Sequence, residues 1–90
     1  MERTRYKLEF ADQTVLDEIR KLPKNIQIMV SRAMKDRLQN DPFSYGKPLR
    51  YSLKGHRVLR VSNYIIIYKV ENYNITIFKV DIRRDVYENF

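Results

Sequence analysis

The fold is decided by residues 56–80, HRVLRVSNYIIIYKVENYNITIFKV. Three segments of this stretch are rich in Ile, Val and Tyr, which favour strands: His56–Val61, Tyr64–Val70 and Asn74–Val80. They are separated by Ser62-Asn63 and by Glu71-Asn72-Tyr73, and connections this short join neighbouring antiparallel strands. The stretch therefore predicts a three-stranded antiparallel meander.

The sequence before the meander predicts one strand and two helices. Arg3–Phe10 alternates charged and apolar residues with the period of a half-buried strand. Asp12 is suited to be the N-cap of a first helix, because its carboxylate can accept hydrogen bonds from free backbone N–H groups. Leu22-Pro23 ends that helix, and the proline begins a second helix that runs to about Asn40. Residues 43–55 are predicted to form a loop.

The order β-α-α-β-β-β predicts an α+β fold, in which an antiparallel sheet carries a helical hairpin on one face. Residues 1–90 are predicted to be a single domain, since a chain of this length is typical of one domain. The other face of the sheet should remain free to bind another molecule.

Positive charge is concentrated in the middle of the chain. The net charge is +7, and residues 43–70 contain six Lys and Arg but no Asp or Glu. In residues 1–42, by contrast, nine basic residues are balanced by seven acidic ones. An acid-free basic segment attracts polyanions, nucleic acid first. The alternative is a solvated basic face that keeps the protein soluble, and charge alone does not separate the two.

Basic side chains also share the predicted free face of the sheet. Strand alternation places Arg60, Lys69 and Lys79 on or near that face, whereas Phe78 and Val80 point together into the core. Arginine binds phosphate through two parallel hydrogen bonds and can neutralise the charge that develops when a phosphodiester is cleaved. The pattern favours an RNA site. The simpler alternative is that these cations only solvate the sheet.

Composition disfavours several other classes of protein. The chain has no Cys, which excludes disulfides and thiolate metal sites and fits a reducing cytoplasm. Its one histidine, His56, has no further ligands at a recognisable metal-site spacing. Residues 1–10 lack the apolar region of a signal peptide, and no apolar run could span a membrane. We therefore expect a cytoplasmic protein that uses no metal, no small-molecule cofactor and no membrane.

Four segments in order resemble the RelE/ParE superfamily of bacterial toxins. Residues 38–42, LQNDP, followed by GKPL at 46–49, are similar to the family's exit from its second helix. Residues 53–61, LKGHRVLRV, are similar to its "LKGxxRLRVG" strand, and 63–68, NYIIIY, to "DYRVIY". Residues 83–87, RRDVY, are similar to the C-terminal "HRxxVY". With the order of elements, the resemblance covers essentially the whole chain.

This resemblance implies the toxin of a type II toxin–antitoxin system. A RelE-type member is a metal-independent endoribonuclease that cuts mRNA in the ribosomal A site. The implied partners are a cognate antitoxin that wraps and blocks the toxin, the ribosome and mRNA. By position, the implied catalytic residues are Arg60, Arg83, which stabilises the transition state, and Tyr87, which stacks on or orients the RNA. The residues expected to bind RNA are Lys47, Arg50, Lys54 and Arg57.

Departures from the family pattern weaken the nuclease expectation. Val58 and Ile65 stand where many relatives carry a basic residue, and Ile82 stands where a His often precedes the Arg. One lost transition-state contact commonly costs about 3 kcal/mol, so these departures predict a weak nuclease, one that uses Arg57 and Lys54 instead, or no cleavage at all. Two alternatives stay open: a ParE-like toxin that inhibits DNA gyrase without catalysis, and a degenerate toxin kept only as an antitoxin partner.

Overall fold

The computed structural model describes residues 5–49 and 55–82. In chain order its elements are β1 (Lys7–Phe10), α1 (Gln13–Arg20), α2 (Lys24–Ala33), a π-helical segment (Met34–Leu38), α3 (Pro42–Tyr45), β2 (Lys47–Pro48), β3 (Arg57–Val61), β4 (Tyr64–Glu71) and β5 (Asn74–Ile82). The predicted strand, helices and meander are all present, which confirms the α+β class. The loop predicted over residues 43–55 is wrong in part, because α3 extends into it and β2 lies within it.

The sheet has five strands in the order β1-β5-β4-β3-β2. β3, β4 and β5 form the predicted antiparallel meander, and β2 adds antiparallel to β3 through Lys47 and Pro48. β1 pairs parallel with β5, with Leu8 opposite Ile75, so the sheet is mixed rather than antiparallel throughout. Helices separate β1 from the meander, so no hairpin turn forces antiparallel pairing on it.

The helical segments begin and end where local chemistry requires. Asp12 caps α1, its Oδ1 accepting from the backbone N of Val15 at 3.3 Å, as predicted. Pro23 precedes α2 as its N-cap. The chain then continues into the π-helical segment, where the backbone N of Gln39 donates to the oxygen of Met34, five residues back, at 3.0 Å. Segments of this kind are rare and occur frequently at functional sites.

The main core lies between the helices and one face of the sheet. Apart from the hydroxyl of Tyr68 it is apolar, and its buried residues are Val15, Val30, Ala33, Met34, Leu38, Leu59, Val61, Ile66, Tyr68, Ile75, Ile77 and Val80. Within residues 5–49 and 55–82, no charged side chain is buried and no helix is long and apolar enough to cross a membrane. The predicted covering of one sheet face by helices is confirmed.

The alternation predicted for β5 is wrong at Phe78. Ile67 pairs with Lys79 and the next residue of β4 pairs with Ile77, so Phe78 is an extra residue in the strand, a β-bulge. Ile77 and Val80 both lie in the core, whereas Phe78 is 40% exposed. An inserted residue shifts the alternation of side chains by one position, so the residues before it point to the opposite sheet faces from those that a strict period of two predicts. Phe78 and Ile77 are misplaced for this reason.

Candidate nucleic-acid interface

The sheet face turned away from the helices is closed at its centre. Val58, Ile65 and Ile67 form a second apolar cluster there, with exposures of 7%, 0% and 4%, and Leu49 packs against them. The expectation of a free face is therefore wrong for this central part. Because an ionic ligand would lose its hydration in such a place, charged contacts belong at the margins of the cluster.

Two cations stand at these margins. Lys47 lies opposite Val58 across the β2–β3 pair, and Arg60 lies opposite Ile65 across the β3–β4 pair. Both side chains are exposed, and neither forms an ion pair with a carboxylate of the described residues. They are therefore available to an anionic ligand.

The other two cations predicted on this face are engaged with carboxylates. Lys79 Nζ lies 2.9 Å from Glu18 Oε2 and 3.7 Å from Asp81 Oδ2. The hydrogen bond that Lys79 donates to Glu18 raises the pKa of Lys79 above its ordinary value. Lys69 Nζ lies 3.7 Å from Glu71 Oε1. Because these charges are partly neutralised, they attract an external anion less than the sequence suggested.

A cleft of about 310 Å³ opens at the edge of β3, past the end of β2. We call it the basic edge cleft, and its described lining is Arg37, Tyr45, Lys47, Val58, Leu59 and Arg60. Its three cations come from three separate elements, and none is paired with a described carboxylate. Tyr45 is 53% exposed. Unpaired cations beside an exposed aromatic ring suit a phosphate with an attached unpaired base.

Arg57 lies on the opposite, helix-covered face and makes structural contacts. Its Nη2 donates to the backbone oxygens of Phe43 at 2.8 Å and Gly46 at 2.7 Å. Its guanidinium also lies over the Phe43 ring, 5.3 Å from the centroid. These contacts hold α3 and the chain entering β2, and they separate Arg57 from Arg60, with which it was expected to bind RNA.

Tyr68 holds the same segment through a second contact. Its hydroxyl donates to the backbone oxygen of Pro42 at 2.6 Å, and the side chain is fully buried. Burial raises the pKa of Tyr68, against the opposing effect of the nearby Arg57. Gly46 lies so close that a Cβ there would overlap the Tyr68 hydroxyl. Together these contacts position the tyrosine and lysine of the basic edge cleft.

The structure thus brings only part of the predicted site together. Arg60 and Lys47 meet at the basic edge cleft, and Arg57 does not join them. The other predicted site residues lie outside the described residues: Arg50, Lys54, Arg83 and Tyr87. In the described ranges, no group of three or more His, Asp or Glu side chains is placed to hold a metal ion.

Two residues of the cleft were missed by sequence reasoning. Arg37 lies on the exposed side of the π-helical segment, where a basic residue is ordinary. Tyr45 lies in the predicted loop, and its one signal was its place near the start of the acid-free segment. His56 was also unassigned: its ring contacts Phe78 at a centroid distance of 4.8 Å, and its buried Nδ1 has no hydrogen-bond partner among the described residues.

Comparisons with known proteins agree with this fold. The sequence model of the ParE toxin of type II toxin-antitoxin systems, parDE, matches residues 8–87. The toxin-antitoxin complex RelBE2 from Mycobacterium tuberculosis contains a chain 28% identical, with a TM-score of 0.82, and the match covers 91% of this chain and 95% of that one. No curated protein sequence matches the chain.

More distant solved structures show the same fold. The isolated RelE toxin of E. coli is 21% identical, with a TM-score of 0.70 and 93% of each chain covered. The RelE-RelB complex of Pyrococcus horikoshii contains a chain 22% identical, with a TM-score of 0.67, covering 87% of this chain and 94% of that one. The arrangement of strands and helices around the cleft is therefore that of the RelE-like toxin fold.

Proposed function

Since the chain belongs to the ParE toxin family of type II toxin–antitoxin systems, we propose that it acts as a ribosome-dependent endoribonuclease that cleaves mRNA in the ribosomal A site. One observation carries the proposal: Lys47 and Arg60 are exposed at the margin of the sheet face, within the acid-free segment, and neither pairs with a carboxylate of the described residues. Cleavage by the RNA's own 2′-OH needs positioning, charge neutralisation and proton transfer. These cations can supply the second requirement.

The proposed roles follow from position. Arg60 neutralises charge near the scissile phosphate, Arg83 stabilises the transition state, and Tyr87 stacks on or orients the RNA. Val58 and Ile65, where a stronger nuclease would carry cations, are buried and apolar. Each missing contact of this kind commonly lowers the rate by about 10²- to 10³-fold, so we expect slow, metal-independent cleavage.

The proposed partner is an antitoxin protein. The Mycobacterium tuberculosis and Pyrococcus horikoshii relatives were solved in toxin–antitoxin complexes. With a net charge of +7, this chain would attract an acidic antitoxin segment, and its binding would keep the toxin from ribosomes and mRNA in the cytoplasm.

The test maps mRNA cleavage by primer extension in a purified translation system with programmed ribosomes. Wild-type protein should cut within the A-site codon, and Arg60→Ala, Arg83→Ala and Tyr87→Phe should each cut at least about tenfold more slowly. Arg20→Ala is the matched control, since Arg20 is exposed on α1 and, among the described residues, pairs only with Asp17. Unchanged mRNA in the wild-type reaction, with translation unimpeded, would refute the proposal.

Inhibition of DNA gyrase without catalysis is the second candidate. The apolar cluster of Val58, Ile65 and Ile67 favours it, because a phosphodiesterase needs charge where this protein buries hydrocarbon. Titration of the protein into a gyrase supercoiling assay would show inhibition if this function holds. Inhibited supercoiling together with intact mRNA would replace the nuclease by the gyrase inhibitor, and no effect in either assay would indicate a degenerate toxin.

A further inference from the structure

We propose that the basic edge cleft binds single-stranded RNA, with a phosphodiester held by Arg37, Lys47 and Arg60 and a base stacked on Tyr45. The inference deepens the proposed function and rests on it for the identity of the RNA. The binding itself requires no cleavage, so it can be tested separately.

The three cations are arranged as a cradle. Arg37 comes from the π-helical segment, Lys47 from β2 and Arg60 from β3, so their backbones are fixed by different elements. All three side chains are exposed, and none pairs with a carboxylate among the described residues. Three unneutralised charges around one cleft repel one another until an anion enters, which favours occupation by phosphate.

Tyr45 adds the aromatic surface that a phosphate alone would not need. It lies in α3, which begins at Asp41: Asp41 Oδ1 accepts from the backbone N of Ser44 at 3.3 Å, and Oδ2 accepts from the Ser44 hydroxyl at 2.7 Å. Arg57 and Tyr68 hold the segment from the other side. The backbone that carries Tyr45 is therefore held in place while the residue remains half exposed, as a stacking platform for an unpaired base requires.

A protein segment is the competing occupant. Among the described residues, β2 pairs with Arg57 and Val58 alone and leaves residues 59–61 of that edge without a partner, so an extended acidic peptide could join the sheet there. The observations favour RNA, because the exposed ring of Tyr45 offers a stacking surface beside the cations. A peptide bound by edge pairing would draw its affinity from the backbone and would need no such ring.

The experiment measures binding of a fluorescein-labelled oligouridylate with 2′-O-methyl riboses, which the protein cannot cleave. Fluorescence anisotropy with the full chain, at several salt concentrations, gives the Kd and its salt dependence. One phosphodiester shared by the three cations predicts a slope of log K against log salt of about −0.7, the value for one neutralised phosphate of a single strand. Arg37→Ala, Lys47→Ala and Arg60→Ala should each weaken binding by about tenfold, as expected for the loss of a charge-assisted hydrogen bond, and the triple variant should lose this salt dependence.

The tyrosine makes a separate prediction. Tyr45→Ala should weaken binding by about five- to a hundredfold, as expected for the loss of one stacked base, without changing the salt slope. Tyr45→Phe should bind like the wild type, since it keeps the ring. The control is Lys24→Ala, an exposed cation at the start of α2, far along the helix from Arg37, and it should leave the Kd and slope unchanged.

Unchanged affinity and slope in all the cleft variants would overturn the inference. Tighter binding of an oligoglutamate peptide than of the oligouridylate, with slowed amide exchange at residues 59–61, would overturn it in favour of a protein partner. If the wild-type protein cuts mRNA on programmed ribosomes while the cleft variants bind RNA normally, the inference fails and the proposed function stands. If the cleft variants lose RNA binding but the wild-type protein cuts no mRNA, the inference stands and the proposed function fails.

Discussion

Gly46→Ala should destabilise the protein, because Gly46 lies against the ring of Tyr68. A Cβ at residue 46 would overlap the Tyr68 hydroxyl and lie 2.7 Å from Cζ. The backbone of Gly46 is extended, with φ −97° and ψ 164°, which any residue can adopt. The effect would therefore be steric. Tyr68 cannot swing away freely, because it is fully buried and its hydroxyl donates to Pro42 at 2.6 Å.

The magnitude follows from these contacts. Forcing an extra methyl group into a packed interior costs about 1–3 kcal/mol, and losing the hydrogen bond of Tyr68 adds about 1 kcal/mol. The free energy of unfolding should thus fall by about 2–4 kcal/mol. In a domain of this size, that lowers Tm by roughly 10–30 °C.

Urea unfolding followed by far-UV circular dichroism measures this change. The double variant Gly46→Ala with Tyr68→Phe provides the test of mechanism, because removal of the hydroxyl relieves the worst overlap. Its loss of stability should be smaller than the sum of the two single losses. A loss below about 1 kcal/mol for Gly46→Ala, or strict additivity in the double variant, would refute the steric explanation.

Three further predictions concern the same segment and the first hairpin of the meander. Arg57→Ala should lower the free energy of unfolding by about 1–3 kcal/mol, since two charge-assisted hydrogen bonds are lost and two carbonyl oxygens are left unpaired; an unchanged urea midpoint would contradict this. Burial raises the pKa of Tyr68 above 10.0, so its neutral form stabilises the fold at lower pH and that stability is lost as the pH rises through the raised value. Tyr68→Phe should therefore be less stable than the wild type at neutral pH, but its stability should decline less in urea titrations above pH 10, and parallel declines would exclude the idea. Ser62 has φ 58°, a left-handed conformation that costs a non-glycine residue about 1 kcal/mol. Ser62→Gly should remove this strain, partly offset by the greater chain entropy of glycine in the unfolded state, and raise Tm by a few degrees. Ser62→Val should lower Tm, because a β-branched side chain is more strained in this conformation.

Elements with a local cause could be predicted from the order of residues. Asp12 caps α1 because a carboxylate three residues before a free N–H can accept from it wherever the helix lies. The meander follows from apolar β-formers separated by turns too short for anything but a hairpin. The family segments lie on these same elements, so the fold class and the toxin family could be predicted without coordinates.

Tertiary structure alone decided the rest, because it depends on residues far apart in the chain. The parallel pairing of β1 with β5 and the bulge at Phe78 are set by packing across the sheet, which the periodicity of the local sequence does not predict. Arg57 lies on the helix-covered face because it donates to the backbone oxygens of Phe43 and Gly46, and a basic residue looks the same in sequence whichever face it joins. Arg37 and Arg60, 23 positions apart in the sequence, line one cleft only because the π-helical segment ends beside the edge of β3.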